Sequence, residues 1–103
     1  MSSYIPFGQV KNIAILGTGV IGASWVSYFL AHGYRVSAWD PGEGWKDRLH
    51  TFVDTAWPQL VSMGLAPNAL KGALTLHNSP EKAVKNVDFV QENAPERLEI
   101  KQE

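Results

Sequence analysis

Gly17-Thr18-Gly19-Val20-Ile21-Gly22 spells G-x-G-x-x-G, and Asp40 follows 18 residues after the last of these glycines. Glycines at those intervals suit the binding of a phosphate anion. Gly17 permits a tight turn from a strand into a helix. Gly19 leaves room for a pyrophosphate to approach the backbone, and Gly22 lets the helix pack closely on a sheet. The helix N-terminus then offers free N–H groups and the positive end of a dipole. Thr18, Val20 and Ile21 fill the variable positions of the same cofactor-binding loop. A carboxylate at Asp40 can accept hydrogen bonds from both hydroxyls of an adenosine ribose, and it would repel a 2′-phosphate. The pattern therefore predicts NAD in preference to NADP. Arg48, the one nearby arginine downstream, is expected on the following helix and not in a phosphate position. Alone, the glycines would also suit a plain tight turn with Asp40 solvated, and related loops serve FAD and S-adenosylmethionine.

The elements around the motif decide between these readings. Asn12 to Leu16 is a short apolar run of the kind found in buried parallel strands. Val20 to His32 reads as a helix with Ile21, Trp25, Tyr28 and Phe29 as its apolar face, closed by Gly33. Tyr34 to Trp39 is a second strand that ends at Asp40. Strand, glycine turn, helix and strand make a βαβ unit, with the acid at the end of its second strand. Trp45 to Met63 repeats the helical period through Trp45, Leu49, Phe52, Val53, Ala56 and Leu60, and Pro58 is expected to kink or split it. Leu74 to Leu76 is a weak third strand. Ser79 and Pro80 start a short helix through Lys85. Asp88 to Gln91 is a fourth strand, with Phe89 and Val90 expected to be buried on opposite faces and with one edge left unpaired, and Pro95 opens a last helix. The fold class predicted is a Rossmann-type α/β domain with a mostly parallel sheet of about four strands, over residues 11–103, preceded by an N-terminal arm over 1–10.

Composition narrows the function classes. The 103 residues suit one domain, and a formal net charge of −1 offers no basic excess for nucleic acid or for an anionic membrane surface. No cysteine is present, which excludes disulfides, thiolate nucleophiles and zinc-thiolate sites. No run of about 18 apolar residues occurs, and the first residues lack the basic and apolar pattern of a signal peptide. A cytoplasmic protein is expected. His32, His50 and His77 are scattered without ligand-like spacing, so neither a metal site nor a catalytic histidine is read from them. Core packing is the expectation for Trp25, Trp39 and Trp45.

The stretch from Ile13 to Asp40 resembles the opening of the 3-hydroxyacyl-CoA dehydrogenase family. Three further runs sharpen the match to the family's L-carnitine-oxidising branch: Ala38-Trp39-Asp40-Pro41, Ala56-Trp57-Pro58-Gln59-Leu60, and Phe89-Val90-Gln91-Glu92-Asn93-Ala94-Pro95-Glu96-Arg97-Leu98. The resemblance implies oxidation of a 3-hydroxyl to a ketone with hydride passed to NAD. The small-molecule substrate would be L-carnitine or a 3-hydroxyacyl compound, and 3-hydroxybutyryl-CoA is the alternative. It also implies that Glu96 and Lys101 join the NAD site. Family members continue into further strands and a helical domain that carries their catalytic histidine and most of their dimer interface. By that resemblance no catalytic residue lies in this chain, which would be the cofactor-binding part of a longer, homodimeric enzyme. A non-catalytic nucleotide-binding module is the reading from another class.

Overall fold

The computed structural model describes residues 10–93. Residues 1–9 of the N-terminal arm, the helix opening at Pro95, and with it Glu96 and Lys101, lie outside the described residues.

Strand β1, Asn12–Leu16, is buried through Ile13, Ala14 and Ile15. Three consecutive buried residues mean that both faces of the strand are covered, which fits a central parallel strand. Helix α1, Val20–Ala31, follows directly, and then strand β2, Arg35–Trp39. The 19-residue helix α2, Trp45–Met63, leads through a single 3-10 turn to strand β3, Leu74–Leu76. Helix α3, Pro80–Val84, connects to strand β4, Phe89–Glu92. Ser79 caps α3 as its sequence suggests, its hydroxyl accepting the Lys82 N–H at 3.2 Å.

The four strands form one sheet in the order β3-β2-β1-β4, and every pairing is parallel. The chain moves outward from β1 to β3 and then crosses back to the other side of β1. With right-handed connections, α1 and α2 lie together on one face and α3 on the other. In agreement, α1 packs on α2, and α3 packs on β1 and β2. The core gathers Ile13, Ile15, Val26, Leu30, Val36, Leu49 and Val53 between the sheet and the α1–α2 layer.

Three expectations are corrected here. The buried stripe of α1 is Gly22, Ala23, Val26, Phe29 and Leu30, while Ile21 is 63% exposed, Tyr28 46% and Trp25 39%. The glycine turn sets the roll of the helix, because Gly22 must face the turn, so Gly22 and Ala23 point inward with Val26, Phe29 and Leu30 while Ile21, Trp25 and Tyr28 point outward. Trp25 consequently leaves the core and stacks on Phe29 instead, ring centroids 5.5 Å apart. Pro58 does not split α2, which runs unbroken through it. Its exposed position lets a missing N–H go unnoticed by the core, which α2 reaches through Trp45, Leu49 and Val53. Finally, Phe89 and Val90 are 45% and 42% exposed. Among the described residues β4 pairs only with β1, so it is an edge strand, as the sequence reading expects, and it is the burial of its two apolar side chains that differs.

Candidate functional site

The carboxyl ends of β1, β2 and β4 meet at one point, the place where the strand order reverses. In open parallel sheets that reversal opens a crevice for a ligand. Residues Gly17 to Gly22 form the loop and first helical turn at this point, and Asp40 stands beside it at the end of β2.

Gly17 takes φ +95°, and a side chain on it would collide with the carbonyl of Asn93. Its N–H donates to the Trp39 carbonyl at 2.8 Å, which ties the loop to β2. Gly22 has no space for a β carbon either, since one would strike the Gly17 carbonyl. The last motif glycine therefore serves an approach of helix to turn more than of helix to sheet. By contrast, a β carbon on Gly19 would meet nothing within 4 Å, so the third position faces open space.

Gly19 is also the N-cap of α1. It supplies no side-chain cap, and the first turn holds no acidic residue. The N–H groups there remain available and the positive end of the helix is unneutralised. Thr18 is buried, and its Oγ1 has no hydrogen-bond partner among the described residues. A buried hydroxyl without a partner is costly and is uncommon in a native fold. An open approach over Gly19, an uncapped helix start and an unsatisfied hydroxyl beside them all fit an anionic phosphate group.

Asp40 is held at both oxygens. Oδ2 accepts the Thr18 N–H at 2.6 Å, and Oδ1 accepts the Gly42 N–H at 2.7 Å. The acid and the glycine loop are thus in direct contact, as an adenosine ribose flanked by its pyrophosphate would need. Arg48 lies on the first turn of α2, as its sequence position suggests. Its guanidinium nonetheless turns back, Nη1 donating to the Glu43 carbonyl at 2.6 Å and lying over Gly44. It makes no ion pair with Asp40 among the described residues.

Asn93 is the site residue that pattern reading did not single out. Its N–H donates to the Leu16 carbonyl at 2.8 Å and its Nδ2 to the Gly17 carbonyl at 3.3 Å, bracing the glycine turn from β4. The only signal for it was its place within the run Phe89 to Leu98. The histidines are dispersed: His32 caps the far end of α1, His50 lies exposed on α2, and His77 follows β3. Among the described residues no cluster of three metal-ligating side chains occurs. A concavity lined by Lys11, His32, Tyr34, Arg35 and Asn68 lies at the opposite, amino-terminal end of the strands and has no part in this site.

Fold and site together define a dinucleotide-binding domain of the doubly wound type, built around its first βαβ unit. Residues 12–103 match the model of the 3-hydroxyacyl-CoA dehydrogenase, NAD binding domain, and the chain belongs to that family. NAD is therefore its cofactor. The chain is 47% identical over 95 residues to the L-carnitine dehydrogenase of Streptomyces coelicolor, covering 92% of this chain and 30% of that enzyme. It is 48% identical over 93 residues to the L-carnitine dehydrogenase of Pseudomonas putida, covering 90% and 29%. Among solved structures, it is similar to an NAD-dependent 5-formyl-3-hydroxy-2-methylpyridine 4-carboxylic acid 5-dehydrogenase, with TM-score 0.75 and 31% identity over 90% of this chain and 30% of that one. The chain spans about 30% of the length of the curated relatives it matches. No helix among the described residues is long and apolar enough to cross a membrane.

Proposed function

We propose that this chain is the cofactor-binding part of a dehydrogenase that oxidises the 3-hydroxyl of L-carnitine. Gly17, Thr18, Gly19, Val20, Ile21 and Gly22 would cradle the pyrophosphate, Asp40 would accept the adenosine ribose hydroxyls, and Glu96 and Lys101 would reach the nicotinamide half. NAD supplies the hydride acceptor. This chain's own part is to bind the cofactor, orient it at the crevice between β1 and β4, and select it against NADP. The observation that carries the reading is the contact of Asp40 with the glycine loop through the Thr18 N–H. The substrate rests on the naming of the curated relatives. A cytoplasmic, homodimeric enzyme acting on a small molecule, with no nucleic acid involved, completes the proposal.

Calorimetry with NAD and NADP tests the cofactor part. NAD is expected to bind more tightly, and Gly19→Val to abolish binding of both, because a branched side chain fills the open space over the helix start. Circular dichroism checks that the variant keeps its helices. Equal affinity for NADP, or normal NAD binding by folded Gly19→Val, refutes it. Assay of the full-length protein on L-carnitine against 3-hydroxybutyryl-CoA tests the substrate.

A further inference from the structure

The amide of Thr18 sits between two glycines, in the part of the loop with the fewest restraints of its own. It is fastened from outside, by the carboxylate at the end of the neighbouring strand, at 2.6 Å. That carboxylate is itself fixed by the Gly42 N–H at 2.7 Å. We propose that Asp40 is a positioning residue for the pyrophosphate loop as well as an acceptor for ribose hydroxyls. It acts as a strut that holds the Thr18 peptide, and through it Gly17 and Gly19, in the shape that receives phosphate. The inference rests on the reading of this loop as a pyrophosphate cradle.

The two roles differ in sign for a ligand that has phosphate but no ribose. By Coulomb's law alone, a carboxylate beside an anion site repels the ligand, so its removal would strengthen binding. A strut does the opposite. Without it the Thr18 N–H loses its acceptor at a part-buried position, and a glycine-flanked loop must be ordered at the moment of binding. Inorganic pyrophosphate is the probe, since it has no hydroxyls for Asp40 to accept.

The test is titration of pyrophosphate by phosphorus NMR into the unaltered chain, Asp40→Ala and Asp40→Asn, with amide exchange at Thr18 recorded in each. Affinity is expected to fall about three- to tenfold in Asp40→Ala. The loss in Asp40→Asn is expected to be smaller, because the amide oxygen still accepts one of the two N–H groups. Thr18 exchange should quicken in the same order. Unchanged or tighter pyrophosphate binding in either folded variant, with NAD binding weakened, overturns the strut and leaves Asp40 a ribose acceptor only. Gly19→Val separates the two failures. If it retains pyrophosphate, or if the unaltered chain takes up none at millimolar concentrations, the cradle reading falls and the strut with it. If it loses pyrophosphate while Asp40→Ala does not, the strut alone falls.

Discussion

In the proposed reading, cofactor selection and loop shape both run through one side chain, and substitution of Asp40 tests them on the whole dinucleotide. Asp40→Ala is expected to weaken NAD by about 1–3 kcal/mol, the worth of hydrogen bonds to a charged acceptor. NADP is expected to lose less, since its 2′-phosphate is freed from repulsion and the Arg48 guanidinium lies close by, over Gly44. Calorimetry of both cofactors against both proteins reads this as a narrowed ratio. A second carboxylate, Asp88, fastens the other end of the sheet. Its Oδ2 accepts the Lys11 and Asn12 N–H groups at 2.9 Å each, and those bonds hold its pKa below the ordinary carboxylate value. The lowered value means that this contribution to stability is complete above the unfolded pKa, about 4. It is lost as pH falls through the lower folded value. Asp88→Asn is expected to flatten the acid limb of stability against pH in urea melts while leaving NAD selection unchanged. The places of the glycines and of Asp40 in the fold were legible in the sequence because both are set by short spacing within one βαβ unit. Asn93 was not, because the carbonyls it satisfies on Leu16 and Gly17 are brought to it only by the pairing of β1 with β4.

Helix α1 shows where hydrophobic periodicity misleads. Its bounds were readable almost to the residue, as were those of α2 and of every strand, because turn glycines, a Ser-Pro cap and β-branched runs mark them locally. Its roll was not, because a count of large apolar residues favours Ile21, Trp25 and Tyr28, whereas the turn demands small residues against itself. Two substitutions separate these faces. Leu30→Ala, at a fully buried position, is expected to cost about 2–5 kcal/mol in chemical denaturation, and Ile21→Gln less than about 0.5 kcal/mol. Pro58 offers a test in the other direction. It removes a backbone donor from the interior of α2 on an exposed face, so Pro58→Ala is expected to stabilise the domain by about 1–3 kcal/mol. A raised urea midpoint with an unchanged slope would report it.

Across the whole molecule, the reversal of strand order is what turns a sheet into a binding site. β2 and β3 lie on one side of β1 and β4 on the other, so the crevice between β1 and β4 is left without a crossing connection. Ligand and fold are then linked thermodynamically. At an NAD concentration a hundredfold above its Kd, the folded state gains about 2.7 kcal/mol, and the melting temperature is expected to rise by roughly 10–20 °C for a domain of this size. Thermal melts with NAD and with NADP at equal concentration should show the smaller shift for NADP.

The clasp between Gly17 and Asn93 joins residues 76 apart in the chain. During synthesis the glycine turn leaves the ribosome first and its brace follows only after β2, α2, β3 and α3. At about 5–20 residues per second that interval is roughly 4–15 s. Through it the turn is tied to β2 alone, by Trp39 and Asp40, and the Gly17 and Leu16 carbonyls that Asn93 later satisfies face water. A nascent chain stalled before Asn93 is therefore expected to gain less shelter from NAD than one that has released it.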